Sequence, residues 1–164
     1  LNIQYLRPLE NRLAMSLDKE ITSALKEAMK AKDSQALEAL RAIRSKLILA
    51  QTETGSKEAL SEAEETKILQ RLVKQRKDSA AIYSEQGRAD LAEPELAQVK
   101  IIEQFLPEQM TEAEIEAVVD KIIADTGAAS MADMGKVMGM ANAAIAGRAD
   151  GKTIAHYVKQ KLSS

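Results

Sequence analysis

The aromatic inventory of this chain is one phenylalanine, Phe105, and three tyrosines in 164 residues, with no tryptophan and no cysteine. Sheets lean on aromatic and β-branched side chains to fill their half-buried faces, whereas helices pack well with alanine, leucine and methionine. Hydrophobic residues still make up 45% of the chain, enough for a real core, so the expected fold class is all-α. The lack of cysteine removes disulfides, thiolate nucleophiles and thiolate zinc sites, which suits a reducing compartment. Twenty-three basic residues stand against 25 acidic ones, a formal net charge of −2. Bulk charge therefore does not drive non-specific nucleic-acid binding, and an anionic partner has to meet a local patch. No apolar run approaches a membrane span, and the start of the chain lacks the basic-then-apolar order of a signal peptide. A cytoplasmic protein with no membrane contact is expected.

Helix punctuation sets the organisation. Residues 1–14, LNIQYLRPLENRLA, are interrupted by Pro8 and fall out of phase with the helical pattern that starts at Met15; they read as an added or frayed extension before a natural start at that methionine. Ser16 can cap a first helix to about Lys30, and Ala31-Lys32-Asp33-Ser34 turns the chain into a second that runs to about Thr52. Ser61 with Glu64 makes a capping box for a long third helix ending near Gly87. Asp90 is read as the cap of a fourth helix through Phe105, with Pro94 in its first turn, where a missing amide costs nothing. Pro107 stops that helix, and the density of Gly, Ala and Met then rises. The expected arrangement is two helical lobes, a four-helix domain over 15–108 and a three-helix bundle over 109–164. In the second, Thr111 with Glu114 opens a fifth helix closed by Gly127, a sixth spans about 131–146 and ends at Gly147, and Asp150 caps a seventh.

Catalytic chemistry has little to work with. His156 is the only histidine, no HExxH or CxxC pattern is present, and Gly135, Gly139, Gly147 and Gly151 follow no strand that could make a nucleotide cradle. Glu62, Glu64 and Glu65 lie at a helix start, where the macrodipole favours negative charge. No catalytic residue, metal or cofactor is expected. What remains is surface recognition, read at about 100° per residue. On the second helix Leu40, Ile43, Leu47 and Ala50 form a stripe, with Arg41 and Arg44 bordering it on the side of Ile48. On the third, Ile68, Leu69, Leu72 and Tyr83 face inward with Arg76 among them, and a charge there has to be paired. On the sixth, Met134, Val137, Met138, Ala141 and Ile145 face inward. Gly135 and Gly139 beside them form a shallow groove that lets a neighbouring helix or a sugar–phosphate backbone come close. On the seventh, Ile154, Val158 and Leu162 face inward and Lys152, His156 and Lys159 outward. Arg148 enters from the preceding loop, and Lys136 joins if the sixth helix packs alongside. These five make a candidate phosphate-binding surface, with His156 the weaker contributor; it would read the shape of a nucleic acid rather than its bases, and the alternative is a merely solvated basic face.

Several linked segments then carry a resemblance over about residues 15–163. They are Arg41 in LRAIRSKL, Arg76 to Tyr83, Gly87-Arg88-Ala89-Asp90-Leu91 with Glu95, Phe105-Leu106-Pro107, Met134-Gly135-Lys136-Val137-Met138 and Gly147-Arg148-Ala149-Asp150-Gly151. Together they resemble the YqeY family, also called the GatB/YqeY-like proteins. That family is similar to the all-helical, tRNA-binding tail of the B subunit of the glutamine-dependent amidotransferase that converts Glu-tRNA(Gln) or Asp-tRNA(Asn) to the amidated form. The resemblance implies a stand-alone tRNA-binding or amidotransferase-accessory protein, with tRNA, the amidotransferase or another translation-related protein as partners and a carbon–nitrogen ligase label. The chain lacks the glycine- and serine-rich amidase signature and is too short for the kinase-like cradle of the catalytic body, so binding without catalysis is the expectation. Within the matching segments Arg41, Arg76, Arg88 and Glu95 are read as structural or anion-pairing residues, Glu95 being the expected partner of Arg76. A helical protein–protein interaction module without RNA binding is the alternative.

Overall fold

A computed structural model describes residues 16–53, 55 and 59–164, so the expectations for residues 1–14 and Met15 lie outside the described residues. The described chain is all-α, with seven α-helices, one short 3-10 turn and no strand. It divides into two compact units between Leu106 and Pro107.

The first unit holds α1 (Leu17–Lys30), α2 (Ser34–Glu53), α3 (Glu62–Glu85) and α4 (Ala89–Glu103). Ile21, Ala24, Leu25 and Ala28 on α1 recur at helical spacing and are buried against Leu40, Ile43 and Leu47 of α2, Leu69 and Leu72 of α3, and Val99 and Ile102 of α4. Phe105 and Leu106 join the same core just past the end of α4. Ser16 occupies the cap position of α1, but its side chain makes no capping bond. Asp33 does cap α2, its carboxylate accepting the Ala36 amide at 3.0 Å. The Ser61/Glu64 box opens α3: the Ser61 hydroxyl accepts the Glu64 amide, and the Glu64 carboxylate accepts the Ser61 amide at 2.8 Å. Those bonds, the backbone one first, hold the Glu64 carboxyl below its ordinary range.

Two sequence expectations about the start of α4 need correcting. Asp90 does not cap α4. The cap position is two residues earlier, at Arg88, with the helix starting at Ala89, and the Asp90 carboxylate is gripped from that position by Arg88, whose Nε and Nη2 donate at 2.9 and 2.8 Å. With that earlier start Pro94 lies inside the helix rather than in its first turn, and the Asp90 carbonyl loses an intrahelical donor. Arg41 and Arg44, on the flank of the α2 stripe, both have exposed side chains.

Arg76 is half-buried, as its position on the apolar face requires, but its partner on α4 is not Glu95. Its Nε donates to the side-chain oxygen of Gln98 at 2.8 Å and its Nη1 to the Leu72 carbonyl at 3.3 Å. Gln98, 6% exposed, is the buried polar residue among those described. Its amide nitrogen donates to the Gln35 side chain on α2 at 3.3 Å, so one buried amide joins α2, α3 and α4. A neutral amide can accept from the guanidinium and donate onward, which a carboxylate cannot do. Removing either end leaves a desolvated donor or acceptor, at a cost of about 1–3 kcal/mol. A double-mutant cycle on Arg76→Ala and Gln98→Ala should therefore show a coupling of about 1 kcal/mol in chemical denaturation, while Arg76→Ala and Glu95→Ala should be additive to within about 0.5 kcal/mol. Additivity of the first pair would contradict this assignment.

The second unit holds α5 (Glu112–Thr126), a 3-10 turn (Met131–Asp133), α6 (Met134–Ile145) and α7 (Gly151–Leu162). Its core is Ile115, Val119 and Ile122 from α5, Val137, Ala141 and Ile145 from α6, and Ile154, Val158 and Leu162 from α7. The Thr111/Glu114 box opens α5, Gly127 closes it in the left-handed region, and Asp150 caps α7 by accepting the Thr153 amide at 2.7 Å. The expected sixth helix begins with the 3-10 turn and ends a residue early, because Ala146 and Gly147 both take positive φ, 46° and 83°. No helix among the described residues is long and apolar enough to cross a membrane.

Candidate functional site

Charge is sharply segregated within the second unit. α5 carries Glu112, Glu114, Glu116, Asp120 and Asp125 against the single Lys121. From Met134 to the end of the chain the balance reverses, with Lys136, Arg148, Lys152, Lys159 and Lys161 against Asp150 alone. Which of these cations are already engaged decides what the surface can hold.

Lys161 is engaged. Its ammonium lies 2.7 Å from Glu116 and 3.2 Å from Asp120, tying α7 to α5, and the hydrogen bonds to those two carboxylates hold its pKa above the ordinary lysine value. The neighbouring Tyr157 is turned to the same side. Desolvation, then the carboxylates of Glu112 and Glu116, push its phenol up. Neither residue was singled out in the sequence, although each lies off the outward stripe by helical phasing and each adjoins a residue of the buried stripe in sequence.

Arg148 is engaged too, and this changes its reading. Its Nε donates to the Glu108 carbonyl at 3.0 Å, and its own carbonyl accepts the Met110 amide at 2.7 Å. Gln109 completes the stitch, its side-chain amide donating to the Pro107 and Gly147 carbonyls at 2.8 and 3.1 Å. Arg148 thus pins the loop before α7 to the segment before α5. It also stands near Glu114, whose carboxyl is held low first by the Thr111 amide, then by the Thr111 hydroxyl, with a smaller contribution from Arg148.

Lys152, His156 and Lys159 lie exposed on one outward stripe of α7, and neither lysine side chain makes an ion pair or hydrogen bond with a described residue. His156 meets the edge of Tyr157, with ring centroids 5.5 Å apart. Lys136 is exposed on α6, whose buried stripe of Val137, Ala141 and Ile145 faces the opposite way, and it makes no ion pair. Asp133, one turn before it, is instead occupied by the Ala129 and Ser130 amides, which hold its carboxyl low. α6 and α7 pack on each other, but the phasing leaves Lys136 on the back of α6 rather than in the stripe of α7. The groove at Gly135 and Gly139 is open. A Cβ built on either meets no atom within 4 Å, so packing inside the chain does not require these glycines. No group of three or more His, Asp and Glu side chains among the described residues is arranged to hold a metal ion.

The sequence model of YqeY-like proteins matches residues 18–162. The chain belongs to the YqeY-like family. No curated protein matches it significantly. The match takes in both units of this YqeY-like protein, so every candidate site residue, from Arg41 to Lys159, lies within the matched segment.

In this YqeY-like protein the engaged and the free cations should behave differently. Arg148→Ala removes a charged donor from a closed loop and should destabilise the second unit by about 1 kcal/mol. Lys152→Ala and Lys159→Ala should leave stability within about 0.5 kcal/mol of the parent. Amide hydrogen exchange at the start of α7 checks both; an Arg148→Ala variant as protected as the parent would show that the pin carries nothing. The Thr111/Glu114 box adds a pH signature. A folded-state pKa held below its unfolded value gives stability that is present above the carboxylate range and is lost as the pH falls through it. Glu114→Gln should therefore flatten the acid limb of the melting-temperature profile.

Proposed function

We propose that this protein binds tRNA through phosphate contacts on α7, as an accessory of tRNA-dependent amidotransfer or a related step of translation, and supplies binding rather than chemistry. The observation that supports this most is the stripe of Lys152, His156 and Lys159, exposed and without a carboxylate partner in a unit five of whose eight acids lie on α5. A row of lysines without aromatic stacking partners suits backbone contacts, which position a nucleic acid without reading its bases. The carboxylates of α5 repel phosphate, so the RNA is admitted on one side only. The resemblance of the C-terminal segment to the amidotransferase tail favours tRNA among the nucleic acids. Lys136 belongs to the same reading as an outlying contact. Arg148 enters it as the residue that positions the start of α7, its Nε being spent on Glu108.

Binding to purified total tRNA should weaken steeply with salt. Each lysine that meets a phosphate should take about 0.7 to 0.9 off the magnitude of the log-affinity against log-salt slope when it becomes alanine, with preference among tRNAs little changed. The decisive variant is Lys136→Ala/Lys152→Ala/Lys159→Ala, which spares the loop pin. An unchanged affinity and slope in this variant, or no tRNA binding by the parent, would overturn the reading in favour of a protein-interaction module.

A further inference from the structure

Ala146, the residue that closes α6, sits at φ 46° and ψ 53°, in the left-handed region. A Cβ crowds the following carbonyl there, a strain that glycine escapes. Gly147 comes next and also takes positive φ, 83°. Were α6 one residue longer, Gly147 would close it without strain, as Gly127 closes α5 at φ 65°. The chain stops the helix on the alanine instead, and a strained residue persists only where its surroundings hold it. Hydrogen bonding along α6 does not do so: the Ala146 amide bonds the Asn142 carbonyl at 2.9 Å, a bond that a longer helix would keep. The segment before α5 does. The Gly147 carbonyl accepts the Gln109 side-chain amide at 3.1 Å, the Arg148 carbonyl accepts the Met110 amide at 2.7 Å, and the Arg148 Nε donates to the Glu108 carbonyl at 3.0 Å. Adding a residue to a helix turns the chain that follows by about 100° and advances it by about 1.5 Å, enough to break all of these bonds. The strained loop with its stitch and the relaxed, longer helix without it exclude each other.

We propose that residues 108–110, where the chain enters this unit, form a latch that holds the loop before α7 in its strained form, and that releasing the latch lets Ala146 join α6 and loosens the first turn of α7, where Lys152 lies. When α6 takes Ala146, the loop to α7 is one residue shorter. Either Ala149, 7% exposed in the core, or Asp150, which caps α7 on the Thr153 amide, then has to give way. Lys161 stays tied to Glu116 and Asp120 and keeps the far end of α7 in place. The helix thus has one fixed end and one releasable end, and a contact that grips residues 108–110 acts on Lys152 through two discrete forms of the loop. This coupling holds whatever α7 binds.

The test is the sign of one substitution in two backgrounds, read by amide hydrogen exchange on the full chain. In the parent, Ala146→Gly relieves the left-handed strain and should raise protection in the last turn of α6 and the first turn of α7 about fivefold. With the latch opened by Gln109→Ala/Arg148→Ala, residue 146 is helical, and the same Ala146→Gly should lower protection about two- to fivefold. The intraresidue amide–Hα NOE of Ala146, strong at positive φ, should be strong in the parent and weak in the opened variant. Gln109→Ala alone, which keeps both Arg148 bonds, should weaken it in part. The proposal is overturned if Ala146→Gly fails to raise protection in the parent, if its effect keeps the same sign in the opened background, or if the NOE stays strong when the latch residues are removed.

Discussion

Lys161, held by Glu116 and Asp120, fixes the direction in which α7 faces, and the use of the second unit depends on it. The apolar stripe of Ile154, Val158 and Leu162 sets the rotation of the helix coarsely. The ion pair with α5 removes the remaining freedom by turning one flank of α7 towards carboxylates, which leaves Lys152 and Lys159 where no acid of the unit answers them. Surface ion pairs add little stability singly, but here the Lys161 side chain is 29% exposed beside carboxylates at 43% and 52%, and the pair joins two helices, so its work is orientation. In the first unit a neutral tie does the corresponding job. Gln98 accepts from Arg76 and donates to Gln35, and a buried amide with both ends satisfied tolerates one register of α2, α3 and α4 and no other.

The tetrapeptide Gly-Arg-Ala-Asp occurs once in each unit, at 87–90 and 147–150, and its two copies show how far local sequence decides structure. Both glycines take positive φ just after a helix, 70° and 83°, as the turn demands. At Gly87 the chain re-enters a helix at once. The Arg88 amide closes the preceding helix on the Tyr83 carbonyl, and its guanidinium closes on Asp90 two residues ahead. At Gly147 the next helix starts later, so Asp150 is free to cap α7 and Arg148 reaches out to Glu108. The same four residues make a self-contained cap in one place and a loop pin in the other, and the difference lies in where the next helix begins.

Legibility in the sequence divides along the same line. Features closed within four residues were readable: the boxes at Ser61 and Thr111, the cap at Asp150 and the stop at Gly127; so, from phasing, were most of the inward stripes of α2, α3, α6 and α7. What depends on the partner across the helix was not. The position of Arg76 announced a buried charge, but the search for a carboxylate in the resembling segment pointed to Glu95 and passed over a glutamine three residues on, since an amide has no sign to match. Asp90 looked like a cap because its chemistry suits one; Arg88, two residues before it, competes for the same carboxylate. Arg148 looked free because its acceptor is a backbone carbonyl forty residues away, which no side-chain pattern reveals. The stripe of α7 was visible from phasing, and the separation of engaged from free cations within it required the fold.

That separation is what tRNA binding through α7 rests on, and lysine side-chain NMR measures it residue by residue. With the lysines of the full chain isotopically labelled by reductive methylation and total tRNA added at low salt, the Lys152 and Lys159 signals should shift together and reverse when salt is raised, while Lys161 and Lys121, held by their carboxylates, stay in place. Equal shifts at Lys161 and Lys121, or none at Lys152 and Lys159 while tRNA is bound, would contradict it.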